Sequence, residues 1–341
     1  MDFTSPSSQR LRAMLRTAMG EGLAEALANP QVFEIMVNPD GSVRLDLAGE
    51  GRVVTGVVMP AADIERVIRL VATNVRAEVH ADSPIVSAEL PSAPDGSGGE
   101  RFEGLLPPVV AGPCFSIRKP AYRLFGLEDY VAAGIMTGDQ ARTLGRAIID
   151  RQNILVVGGT SSGKTTLTNA LLAEVADLEE RVILIEDTRE LRCAASDVVA
   201  LRTRPGFVTM ADLVRSTLRL RPDRIIVGEV RGPEALDLLK AWNTGHPGGI
   251  ATLHANSALG ALHRLEQLIQ EVVVNVPRPL IAEAIDLIVF ICAANPHTGA
   301  PRRIADIAEV HGLGPRGDYD LRPLIFNGED KPDPGTNTKE T

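Results

Sequence analysis

Ile154-Leu155-Val156-Val157-Gly158-Gly159-Thr160-Ser161-Ser162-Gly163-Lys164-Thr165 is the stretch on which the fold turns. Four consecutive apolar residues read as a strand buried on both faces, and such strands belong to mainly parallel sheets covered by helices on either side. The segment that follows matches G-x-x-x-x-G-K-S/T, and Leu167, Ala170 and Leu171 then recur at helical spacing. Strand, glycine loop and helix in that order make a cradle for phosphate. Glycines let backbone N–H groups curl around phosphate oxygens, and the helix start adds the positive end of its dipole. The candidate phosphate-binding residues are Gly158, Gly159, Thr160, Ser161, Ser162, Gly163, Lys164, Thr165 and Thr166. Lys164 reaches the β and γ phosphates of ATP, and Thr165 is a candidate Mg²⁺ ligand. A flexible Gly/Ser turn is the plain alternative, and the flanking strand and helix disfavour it.

Outward from this loop, apolar runs recur at Val182 to Ile185, Ile225 to Val227 and Leu287 to Cys292, with helical patterns between them. The expected fold is therefore α/β, a mainly parallel sheet with a P-loop. Two runs end in acids, which places the acids at the carboxyl edge where ligands bind in such sheets. Glu229, after Gly228, is the candidate Mg²⁺ carboxylate, whereas Asp223 precedes its strand and belongs to the opposite edge. Glu186 is the candidate for positioning the attacking water; a solvated strand-end acid is its alternative. His246 and His254 flank one short strand and are expected to report the γ-phosphate, although a histidine in either place is as often a hydrogen-bonded structural residue. Thr209 is expected to cap a helix that buries Met210, Leu213, Val214, Thr217 and Leu218 on one face.

At 341 residues, with 44% apolar and 23% charged residues, the chain has the composition of two globular domains. Residues 1–120 read as a smaller α+β domain: a helix over 8–28, strands Val32 to Val37, Ser42 to Leu47 and Val53 to Met59, a helix marked by Ile64, Val67, Ile68 and Val71, and further strands interrupted by the loop 95–99. Residues 121–136, without sustained period and with two glycines, are the expected linker; 137–326 form the P-loop domain, and 327–341 have the composition of a disordered tail. The longest apolar run has eight residues, Leu287 to Ala294, well short of the roughly 20 that span a bilayer. With no secretory h-region near the start, a cytoplasmic location is expected. Cys114, Cys193 and Cys292 form no C-x-x-C pair and read as buried small apolar residues. A net charge of -9 and 4% aromatic residues disfavour stable nucleic-acid binding, although ten arginines against seven acids between 181 and 231 leave room for a confined anion.

Together the P-loop, the acidic pair Glu186-Asp187, the segment Pro222 to Gly232 and the histidine segment Thr244 to His254 resemble the hexameric secretion ATPases of type II and type IV secretion, especially the conjugal transfer ATPases of the TrbB type. Gly99-Glu100-Arg101 and Phe115-Ser116-Ile117-Arg118-Lys119-Pro120 resemble that family's first domain. The resemblance implies a RecA-like ATPase domain, ATP and Mg²⁺, a homo-oligomeric six-membered ring, and inner-membrane partners in a secretion or conjugation apparatus. It also implies Arg101 and Arg118 as phosphate-directed arginines, acting within one chain or from a neighbouring subunit. The lack of paired C-x-x-C elements and the short first domain favour the conjugation or type IV branch. The helix over 8–28, with arginines among its leucines, allows peripheral membrane contact as well as packing on its own domain. A small-molecule kinase, a nucleic-acid translocase on the same scaffold and a non-hydrolysing nucleotide binder are the competing readings.

Overall fold

A computed structural model gives the fold; it describes residues 6–47, 50–91, 99–119, 125–204, 206–294 and 298–326. The expected tail 327–341 and all but the last residue of the loop 95–99 lie outside the described residues. The chain divides into two compact units, Met1–Arg123 and Leu124–Thr341.

The first unit contains α1 (Pro6–Ala28), β1 (Val32–Val37), β2 (Ser42–Leu47), β3 (Gly51–Val58), α2 (Ala61–Val75), β4 (Ile85–Glu89), β5 (Arg101–Leu105) and β6 (Cys114–Arg118). Its strands form one sheet in the order β3-β2-β1-β6-β5-β4, antiparallel at every pairing. Alternation along the strands sends Ile35, Phe102, Phe115 and Ile117 into a core shared with Ile64, Val67, Ile68 and Val71 of α2. The same core takes Leu15, Ala18, Met19 and Leu23 of α1, on both sides of a break at Gly20, while Arg10, Met14 and Arg16 stay outside. Among the described residues no helix is long and apolar enough to cross a membrane.

The second unit contains α3 (Leu127–Ala132), α4 (Gly138–Ile149), β7 (Ile154–Gly158), α5 (Lys164–Ala173), β8 (Arg181–Glu186), β9 (Asp197–Arg202), α6 (Met210–Thr217), β10 (Arg224–Val230), α7 (Glu234–Asn243), β11 (Ile250–His254), α8 (Ala258–Gln270), α9 (Arg278–Ala284), β12 (Leu287–Cys292), β13 (Arg303–Leu313) and β14 (Tyr319–Pro323). The sheet order is β14-β13-β12-β7-β11-β10-β8-β9. Neighbours from β12 to β9 run parallel, while β13 and β14 add an antiparallel edge. Successive β7 side chains enter opposite cores. Leu155 and Val157 pack with α7, α8 and α9, and Ile154 and Val156 with α3, α4 and α5.

Three expectations need correction. Residues 125–136 are not linker: Leu127, Tyr130 and Met136 are buried in the second unit's core. The two glycines bracket α3 instead, with Gly126 at its N-cap donating to Asp129 Oδ2 at 2.9 Å, and a six-residue helix is too short to display a period. Thr209 does cap α6, accepting from the Asp212 amide, and Met210, Val214 and Thr217 are buried, but Leu218 is the C-cap and is 45% exposed. The three cysteines are free and only partly buried.

Candidate functional site

Sheet register brings the site together. Gly158, the last residue of β7, pairs with His254, the last of β11. On the other side of β11 the ladder to β10 slips: Gly228 and Glu229 stand where β11 supplies only Thr252. Such a bulge turns a side chain out of the regular alternation, and Thr252 Oγ1 donates to the Gly228 carbonyl at 2.6 Å, which the disturbed ladder would leave without a partner. Glu229 emerges at this bulge. Its Oε1 lies 2.8 Å from His254 Nε2, and its Oε2 accepts from Arg231 Nη2.

The loop between β7 and α5 has a cradle's backbone. Ser161 and Gly163 have φ of 58° and 98°, and Gly163 at the N-cap leaves the first-turn amides of Lys164, Thr165 and Thr166 without a side-chain cap. A Cβ on Gly158 would sit 2.4 Å from the Ile291 carbonyl and 2.6 Å from Ser162 Oγ, so only glycine fits there. Ser162 Oγ is buried without a hydrogen-bond partner, and Lys164 is itself buried. Lys164 Nζ donates to the carbonyls of Gly158 and Gly159 at 3.1 and 3.0 Å, and lies 3.4 and 3.5 Å from the ring nitrogens of His254. An ammonium folded onto its own loop, an unpartnered hydroxyl and uncapped helix amides fit a polyphosphate bound there. Burial and the Lys164 charge hold the His254 imidazole below its ordinary pKa, against the opposing pull of Glu229.

Glu186 sits at the same edge but is employed differently. Its Oε1 accepts from the amides of Glu190 and Leu191 at 2.9 and 2.8 Å, so this carboxylate anchors the segment after β8. Asn169 on α5 grips the same segment, donating to the Glu190 carbonyl and accepting from the Arg192 amide. Asp187 meets Thr203 Oγ1 at 2.8 Å and Arg231 Nη1 at 3.9 Å. Among the described residues, no group of three or more His, Cys, Asp or Glu is arranged to hold a metal.

His246 does not join this cluster. Its Nδ1 is 3.2 Å from the Pro222 carbonyl, ahead of β10 and therefore at the opposite edge of the sheet from Glu229. The expectation that both histidines read the γ-phosphate fails because a five-residue strand separates them. That edge is held by Arg224, which is fully buried, pairs with Glu180, and donates to the carbonyls of Ile148 at 2.8 Å and Gly248 at 3.2 Å.

Arg101 and Arg118 lie in the first unit as direct register partners across β5 and β6. Glu89 and Glu34 are their partners on the outer sides, making an acid–base–base–acid row on one sheet face. Two like charges placed opposite each other cost stability, which the flanking carboxylates offset.

Sequence reasoning gave no site role to Asn169, Arg231 or Arg302. Asn169 carried a signal, a polar residue one turn beyond Thr165 in an apolar helix, and Arg231 follows Glu229 by two, the strand repeat. Arg302, 138 positions beyond Lys164, carried none.

The family model described as "Type II/IV secretion system protein" matches residues 53–307. The conjugal transfer protein TrbB of Rhizobium radiobacter is 49% identical over 308 residues, covering 90% of this chain and 92% of its own. The type IV secretion system protein PtlH of Bordetella pertussis is 33% identical over 326 residues, covering 84% and 93%. Among solved structures, the pilus retraction motor PilT with bound ADP shares the fold, with a TM-score of 0.62 at 20% identity over 91% of this chain and 83% of that one. A matched model spanning most of the chain, and near-full-length relatives at such identity, place the chain in the family of type II/IV secretion system proteins.

Proposed function

We propose that the protein is a RecA-like ATPase that hydrolyses ATP to drive a conjugal transfer or type IV secretion apparatus. The observation that carries this reading is the convergence of Lys164, His254 and Glu229 at the mouth of the P-loop. The conjugal branch is supported by the 49% identity to a conjugal transfer protein along nearly the full length of both chains.

In this reading Gly158 to Thr166 hold the phosphates through backbone amides, and Lys164 leaves the loop carbonyls for the β and γ phosphates. The Thr165 hydroxyl and the Glu229 carboxylate would hold Mg²⁺, which would supply neutralisation of phosphate charge. Glu186 Oε1 is occupied by two amides, which supports giving the orientation of water to Glu229, released from Arg231 as the site fills. His254 couples the lysine to that acid. Arg101 and Arg118, two guanidinium groups side by side, serve as the phosphate-directed arginines of a six-membered ring, each acting within its chain or on a neighbour. The ring works at the cytoplasmic side of inner-membrane partners.

The test is phosphate release with Mg²⁺ and ATP as a function of protein concentration, for wild type and Lys164→Ala. A ring that shares arginines gives specific activity rising with concentration, and Lys164→Ala removes it. Equal release from both proteins, or binding of ATP without release, would sink the reading.

A further inference from the structure

Just ahead of β13, Arg302 meets the P-loop. The Ile291 carbonyl abuts Gly158, and Arg302 lies against Gly163 of the same loop. Arg302 Nη2 donates to the Ser161 carbonyl at 3.3 Å. Its Nε, Cδ and Cζ lie 3.6, 3.7 and 3.7 Å from the point that a Cβ would occupy on Gly163. The arm is delivered from fixed backbone: Arg303 pairs with Cys292 in the β12–β13 ladder, and the Ile304 amide donates to the Ile135 carbonyl at 2.7 Å.

We propose that Arg302 is a nucleotide-binding residue, whose guanidinium exchanges the Ser161 carbonyl for phosphate oxygens when a nucleoside triphosphate enters the loop. This rests on the P-loop reading above. Three features carry it. The guanidinium lies against Gly163, within ordinary packing distance of the loop whose amides would cradle the phosphates. The Arg302 side chain is exposed, so it can turn without disrupting a core. Its present acceptor is a neutral carbonyl, whereas a phosphate oxygen carries negative charge and a phosphate can take two parallel guanidinium N–H bonds. Lys164 is in a parallel situation, its ammonium resting on the Gly158 and Gly159 carbonyls. Two cations from distant parts of the chain thus rest on carbonyls of one loop.

The experiment is equilibrium titration of a fluorescent ATP analogue, with KM and kcat for ATP, on wild type, Arg302→Gln, Arg302→Lys, Arg303→Gln and Lys164→Ala. Each variant is first checked for an unchanged thermal melt. Glutamine can still donate to the Ser161 carbonyl but carries no charge, so a merely structural role leaves affinity untouched. The expected result is roughly tenfold or greater weakening in Arg302→Gln, read in Kd and KM more than in kcat, with substantial recovery in Arg302→Lys and little change in Arg303→Gln. Wild-type affinity in Arg302→Gln alongside lost binding in Lys164→Ala would overturn the Arg302 proposal and leave the P-loop reading standing. Equal losses in Arg302→Gln and Arg303→Gln would also overturn it, as unspecific surface charge. Wild-type binding by Lys164→Ala would remove the nucleotide reading beneath it.

Discussion

Glu229 Oε1 lies 2.8 Å from His254 Nε2 across the carboxyl ends of two neighbouring strands, and the same imidazole lies 3.4 Å from Lys164 Nζ. An acid from β10 and a lysine from α5 are thereby brought against one ring. The acid reaches that position only because the β10–β11 ladder slips at Gly228 and Glu229.

Glu229→Gln retains the shape of the side chain and a hydrogen-bonding oxygen but cannot accept a proton. Hydrolysis is expected to fall by about 10² or more, and ATP affinity by much less, because the carboxylate that would hold Mg²⁺ is neutralised while the cradle of amides is untouched. Phosphate-release rates and a nucleotide titration on the same protein check this. A variant that still turns over at half the wild-type rate would reassign the water-orienting group.

Glu186→Ala acts on stability first. It strips the acceptor from the Glu190 and Leu191 amides, and leaving a buried donor unsatisfied costs about 1–3 kcal/mol. The expected signature is a lower melting temperature, together with faster proteolysis between β8 and β9, whereas Glu229→Gln melts near wild type. Limited proteolysis mapped by mass spectrometry reads the difference; an intact 187–192 segment in Glu186→Ala would contradict the anchoring role.

The acid limb of the pH profile is expected to follow His254. Burial and Lys164 place its pKa below the ordinary 6.5, so the ring is neutral at pH 7 and takes a proton only on acidification. Between the depressed folded value and 6.5 the unfolded chain binds more protons, so this group's contribution to stability is complete above 6.5 and is lost as pH falls through the folded pKa. Activity should therefore persist below pH 6.5 and drop on further acidification, as the imidazole beside Glu229 takes up a proton. His254→Gln should flatten that drop. Rate against pH for both proteins decides, and an identical acid limb would rule the histidine out.

Arg224 tests the opposite edge of the sheet. With no exposed surface, it pairs with Glu180 and satisfies the Ile148 and Gly248 carbonyls. Arg224→Ala leaves a half-buried acid and two carbonyls behind, and breaking such a pair costs about 3–5 kcal/mol. A denaturant melt should show a loss of that size. Arg151, 3.0 Å from Glu180, softens the loss, so Arg151→Ala combined with Arg224→Ala should not be additive.

What could be read from the chain alone was what depends on neighbours in sequence. The run Ile154 to Val157, the glycine loop and the helix after it are contiguous, so period and backbone freedom identify them with no tertiary information. The strands Val32–Val37 and Ser42–Leu47 were legible for the same reason, with a turn between alternating runs. The separation of His246 from His254 was partly latent in the chain, since His254 ends a five-residue strand and His246 precedes its start. The partners of each charge were decided only by tertiary structure. Glu186 and Glu229 end equivalent strands and read alike as acids, yet one is spent on amides and the other turned by a bulge toward His254 and Arg231. Arg302 reaches the P-loop only because β12 lies beside β7 and the chain doubles back to β13. Sheet order and ladder register bring together residues more than a hundred positions apart, and neither leaves a local periodicity to read.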